Sequence, residues 1–197
     1  MKLEEIAFVR TGVVRARKKS VADSPEIEYR VLNLKCLSNS GLFELDNAEI
    51  DYYSDNFKSD CVTQLGDILI RLSAPYTSAM IKQESECGFL VPSHFAIIRA
   101  KEGKSLPEYL LWFLKCEDTY QKILQNCSGT SIYGTISSGF LGSLNIELLP
   151  LERQKIIGEM QLLSEKEQLL LSRLAAEKEI YSREIIKNIY DSFKRGN

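Results

Sequence analysis

The sequence predicts an α+β protein: a hairpin-rich, mixed globular domain over residues 1–150, followed by one long coiled-coil helix over residues 151–197. Three observations carry that prediction. Short runs rich in β-branched and aromatic residues recur through the first hundred positions, separated by glycine and polar turns. One apolar segment with helical spacing follows near residue 110. From Leu151 to Lys194 there is no proline and Gly158 is the only glycine, while leucine, glutamate, lysine, glutamine and arginine, all strong helix formers, dominate.

Taken in order, residues 2–8 read as a short helical turn or strand that Gly12 ends. Strand character follows at Tyr29 to Leu34, at Glu49 to Tyr53 and in the buried run Asp67 to Leu72, which a Gly66-Asp67 turn introduces. Between these lie SNSGLF and YSDNFKS, with the composition of loops. Ala79 to Lys82 is the next strand, QESECG a loop, and Phe89 to Val91 and Ser93 to Arg99 are strands around Pro92. Pro107 and Glu108 mark a helix start, and Tyr109 to Leu124 is a core helix. The loop GTSIYGTIS then leads to a short strand, LNIELLP, and through Pro150 into the long helix.

In that helix Ile156, Met160, Leu163, Leu170, Leu174 and Tyr181 follow alternating steps of three and four, with Glu167 and Glu177 as polar interruptions. Ile185 is counted with them as a partner-facing position, and further apolar residues such as Ile157, Leu171, Ile180 and Ile189 widen the stripe. In helical form, 43 residues extend about 65 Å. A seam of that length cannot be covered by the preceding 150 residues alone, so a second copy or another protein must supply the rest.

Hydrophobic residues make up 44% and charged residues 26% of the chain, ordinary values for a globular protein. Five cysteines with no C-x-x-C pair argue against disulfides and zinc. The acids in MKLEEIAFVR are wrong for a signal peptide, and no apolar run approaches 18 residues, so a cytoplasmic protein with no membrane partner is expected. The net charge of −2 hides an uneven distribution. Arg10, Arg15, Arg17, Lys18 and Lys19 cluster without an acid, as a phosphate-contacting loop or as a solvated one. Residues 42–60 hold Glu44, Asp46, Glu49, Asp51, Asp55 and Asp60 against Lys58 alone, and are expected to face away from nucleic acid or toward a partner.

Catalytic constellations are weak. His94, the only histidine, sits in the apolar run SHFAII, where a core or rim role outweighs general-base chemistry. Neither Cys61 nor Cys87 has a context that would activate it. The E-x-K fragment of Glu102 and Lys104, with Asp67 as a conceivable metal ligand, lies in a glycine turn and not on a strand. No glycine-rich cofactor loop, N/D-P-P-Y/F motif or phosphate loop is present. The expectation is a non-catalytic protein with no metal and no cofactor.

Base readout requires side chains such as arginine, lysine, asparagine or glutamine at a groove. A strand ending at Arg71 delivers Arg71, Ser73, Tyr76, Thr77 and Ser78 to one rim. Arg30, Lys35, Asn33 and Asn39 form a second group. Thr130, Ser131 and Tyr133 bring hydroxyls into the GTSIYGTIS loop, whose glycines allow close backbone approach to phosphates or base edges; a plain structural turn is the other reading.

The segment GTSIYGTISSGFLGSLNIELLPLERQKIIGEMQLLSEKEQLLL resembles the end of a target recognition domain and the long helix of a specificity (S) subunit from a Type I restriction-modification system. QLGDILIRLSAPYTSAMI, GFLVPSHFAIIRA and LPEYLLWFLKC match the order of segments in that family, and MKLEEIAFVRTGVV is similar to its usual opening. The resemblance implies a DNA-binding subunit that directs methyltransferase and restriction subunits to a bipartite site on double-stranded DNA. It favours a positioning role over base reading for GTSIYGTIS. An S subunit normally has two recognition domains and two such helices, whereas this chain has one of each. A homodimer through the helix would rebuild the pseudo-twofold arrangement, and a rod of about 65 Å limits the two-part target to about 19 base pairs or slightly more. The competing expectation is a non-DNA adaptor that assembles a complex through its coiled coil.

Overall fold

The structure is a computed structural model that describes residues 1–14, 27–53, 57, 59–127 and 134–195. It is α+β, with antiparallel sheets and a long C-terminal helix, as the sequence predicts. The chain divides into two compact units, Met1–Gly158 and Glu159–Asn197.

The first unit opens with α1 (Leu3–Ile6), which runs directly into β1 (Ala7–Thr11). Next come β2 (Ile27–Val31), β3 (Glu49–Tyr53), β4 (Ile68–Arg71), β5 (Ser78–Met80) and β6 (Phe95–Ala100). An antiparallel four-stranded sheet has the order β1-β6-β4-β5, and β2 and β3 form a separate two-stranded ribbon. The central strands explain the continuous apolar runs in the sequence. Ile68, Leu69 and Ile70 are fully buried, as are Phe95 to Ile98, because both faces of β4 and β6 are covered. Leu69 lies opposite Ile97 and Ala79, and with Phe95 it packs on Leu32, Leu37, Phe89 and Val91. The ribbon is anchored by an edge-to-face cluster of Tyr29, Tyr53 and Phe57, with ring centroids 5.1–6.0 Å apart.

Three local expectations are corrected, and a further helix lies where the sequence predicts no element. The expected helix from Tyr109 to Leu124 is two helices, α2 (Pro107–Lys115) and α3 (Glu117–Cys127), because Cys116 leaves helical geometry with ψ at 139°. Phe89 to Val91 makes only isolated bridges, from Leu90 to Val31 and Val62. LNIELLP is not a regular strand. Its Asn145 bridges Lys2, and neighbouring amides exchange backbone hydrogen bonds with Met1 and Leu3, so the segment runs alongside the start of the chain. Within the glycine-rich stretch before it lies α4 (Ser138–Ser143), capped by the Ser137 hydroxyl, which accepts from the Phe140 amide at 3.1 Å.

The last element, α5 (Leu151–Arg195), begins in the first unit. Gln154 is completely buried there: its side-chain oxygen accepts from the Leu106 amide at 3.0 Å, and its amide donates to Leu149 and Lys104 carbonyls at 2.7 and 3.4 Å. Gly158 passes so close to α2 that an added Cβ would stand 2.5 Å from the Glu108 Cβ.

The second unit is the remainder of α5. Met160, Leu163, Leu170, Leu174, Tyr181 and Ile185 are all exposed, as is Ile156 just before them. Among the described residues, these apolar positions therefore line an exposed face of the helix. Among the described residues, no helix is long and apolar enough to cross a membrane.

Candidate nucleic-acid interface

The antiparallel register brings Thr11, Phe95, Arg71 and Ser78 to one end of the four-stranded sheet, since Thr11 pairs with Ala96, Arg71 with Phe95, and Ile70 with Ser78. The turn between β4 and β5 projects from this end. Two other stretches join it, residues 33–41 and residues 134–136.

Arg71 ties the first of them. It sits on the sheet face that carries Leu69 and Phe95, so its guanidinium meets the turn Leu34–Cys36 and the residues after it. One terminal nitrogen donates to the carbonyls of both Leu34 and Leu37, and the other donates to Asn39 Oδ1 at 3.2 Å. The Arg71 Nε is buried and finds no hydrogen-bond partner among the described residues. Burial also holds this guanidinium below its usual pKa.

Tyr76 ties the second. Its backbone is in the left-handed region, φ 56°, which costs a residue with a bulky side chain about 1–3 kcal/mol and persists where surrounding contacts over-determine it. The ring is buried, and the hydroxyl donates to the Gly134 carbonyl at 2.7 Å. Burial, and then the neighbouring Cys127 thiol, push the phenol up to about 12. Ser73 bridges Thr135, and the Ile136 amide donates to the Leu72 carbonyl at 2.9 Å. Gly134 is pressed against the end of α3, where an added Cβ would lie 2.6 Å from the Cys127 Cβ, so only glycine fits.

The remaining candidates divide by location. Lys35, Asn39, Ser40, Thr135 and Ser137 are exposed along this rim, Ser73 and Thr77 are half-buried, and Ser78 is buried at the start of β5. Asn33 caps the turn that holds Lys35, accepting from the Lys35 amide at 2.9 Å and donating to Asn47 O and Glu49 Oε1. Arg30 stands on the ribbon, its guanidinium carbon 4.1 Å from the Phe89 ring centroid. Arg10 forms an ion pair with Asp60, which also lies 3.8 Å from Arg99, so one member of the basic cluster is engaged by the acidic segment. Arg15, Arg17, Lys18, Lys19, Thr130, Ser131 and Tyr133 lie outside the described residues.

Asp67 is engaged as well. Its carboxylate is fully buried and accepts two hydrogen bonds from Arg99, at 2.6 and 2.7 Å, and one from the Gln64 amide at 2.8 Å. Those bonds, with Asp60 nearby, raise the Arg99 pKa above its usual value. Thr135 and Ser137 belong to the GTSIYGTIS loop read from the sequence as a candidate contact, although that reading singles out only Thr130, Ser131 and Tyr133. The signal was present in the hydroxyl-rich TISS, which α4 and the Tyr76 turn convert from loop into a fixed edge.

No protein-family model matches the sequence, and no curated protein is similar to it. Solved structures are similar. The crystal structure of the HsdS subunit from Thermoanaerobacter tengcongensis superposes with a TM-score of 0.59 at 16% identity, over 88% of this chain and 38% of that one. A chain from a structure of the assembly and conformational transition of the type I R-M system gives 0.57 at 17% identity, over 90% and 40%. This chain thus spans about two fifths of the length of those structures. The family resemblance read from the sequence is met at the level of fold: the chain has the fold of the HsdS specificity subunits of Type I restriction-modification systems.

Proposed function

We propose that the chain is a sequence-specific DNA-binding specificity subunit. In this reading residues 1–150 form the recognition domain, and residues 151–197 provide the helix through which two copies pair and dock methyltransferase and restriction subunits. The observation that carries the proposal is the combination, in one chain with the HsdS fold, of a polar rim at one end of a four-stranded sheet and a helix whose apolar seam is exposed. An exposed apolar face of this length is the mark of a partner surface. A twofold pair of such chains presents two rims, which suits a symmetric two-part site on double-stranded DNA. The side chains on the rim can bind and orient DNA. Methyl transfer and cleavage then belong to the partner subunits.

The test is DNA binding by the purified chain as a function of salt. Phosphate contacts release counterions, so affinity should fall steeply between 50 and 200 mM salt, by roughly a thousandfold or more for six phosphate contacts. Replacing Lys35 with alanine should lower the log–log slope by about one if Lys35 holds a phosphate. Retention of partners without any salt-sensitive affinity for duplex DNA would instead identify a protein adaptor.

A further inference from the structure

Three separate stretches, 33–41, 71–78 and 134–136, meet at the rim through two side chains, and neither of those side chains has its polar groups directed freely to solvent. Arg71 holds the carbonyls of Leu34 and Leu37 and the Asn39 side chain. Tyr76 is buried and donates to Gly134 O. Its turn closes internally, with the Tyr76 amide on Ser73 O and the Arg71 amide on Thr77 O, both at 3.0 Å, and then pairs with the third stretch through Ser73–Thr135 and Leu72–Ile136. The exposed hydroxyls of the rim lie beside these ties, and the exposed Asn39 amide takes part in the Arg71 tie through its oxygen alone.

We propose that Tyr76 is a positioning residue for DNA recognition: its hydroxyl clamps the β4–β5 turn to residues 134–136, so that the rim meets DNA as one preformed surface while Tyr76 itself touches no base or phosphate. The proposal rests on the DNA-binding function above. A surface assembled from loops of distant sequence would otherwise lose freedom on binding, and a preformed one avoids that loss. Arg71 is the matching tie on the other side.

Tyr76→Phe removes one hydroxyl and leaves the buried ring. The full-length chain is first used to select a preferred site from a randomised duplex library. The variant should bind that site about fivefold more weakly, the loss expected from one buried hydrogen bond. The weakening should spread over several base positions, while the salt slope and the affinity for unrelated duplex stay unchanged. Hydrogen exchange at the Ile136 amide, measured without DNA, should quicken. Gly134→Ala, which drives residue 134 off Cys127, should reproduce both effects. Relaxed preference at a single base position would make Tyr76 a base reader and overturn the proposal, as would unchanged exchange at Ile136. A wild-type chain that selects no DNA would refute the function, and exchange at Ile136 would then decide the clamp alone.

Discussion

Asp67 is a carboxylate with no access to solvent, at the head of the buried strand β4. Its partner, Arg99, lies 32 residues away on the neighbouring strand and grips it through two hydrogen bonds. Arg99→Met should cost about 3 kcal/mol of unfolding free energy in urea, because it strands a buried carboxylate with the Gln64 amide as its remaining donor among the described residues. Asp67→Asn combined with Arg99→Met should recover part of that loss. A single substitution costing under about 0.5 kcal/mol would mean that the carboxylate is rehydrated instead. At this scale the sequence is informative about residue types and silent about partners. DILIR announces a buried strand with charged ends, but which charges meet depends on the β4–β6 register. The same limit applies to Arg71 and Tyr76. Their loop was legible from its proline, its hydroxyls and the strand before it, whereas their contacts with residues 34–39 and 134 depend on chain returning from far away.

At the scale of elements, the first two turns of α5 show packing overriding propensity. Alanine is the better helix former by about 1 kcal/mol, so Gly158→Ala would stabilise an isolated helix. Here the new methyl would meet the Glu108 Cβ at 2.5 Å and backbone atoms of Glu108 and Tyr109 at 3.1 Å. The clash costs about 1–3 kcal/mol, and the net result should be a lower midpoint of thermal unfolding by calorimetry. An unchanged or higher midpoint would show that α2 yields without cost. The strands and the long helix were legible because periodicity and breakers agree there. The division between α2 and α3 was missed because no glycine or proline marks Cys116. In hindsight Lys115 followed by Glu117-Asp118 is a basic helix end facing an acidic helix start. Helix α4 was missed for the opposite reason. Its glycines spell a loop, and Gly142 is there because α1 packs closely, with Glu4 3.2–3.3 Å from the position of an added Cβ.

For the whole molecule, the exposed seam is where the proposed assembly is tested. A homodimer should weigh about 45 kDa by light scattering, twice the 22.4 kDa chain. Replacing Leu163, Leu170 and Leu174 with aspartate should convert it to monomers without unfolding the first unit, since all three side chains are at least half exposed in the single chain. A wild-type monomer would direct the search to a different partner helix, and a dimer that survives the triple substitution would place the contact elsewhere. One feature of the first unit has a broader meaning. The chain's opening residues lie beside residues 144–146, with the Leu3 amide on Leu144 O and the Ile146 amide on Met1 O. A stretch whose residues 1–3 and 144–146 are stitched together is a closed circuit of polypeptide. Such a circuit can be cut at another surface turn and rejoined here, or moved whole into a different polypeptide, without rerouting its core. Recombination acting on the gene can therefore exchange this unit, the recognition domain in the function proposed above, as a cassette while the helix seam stays unchanged.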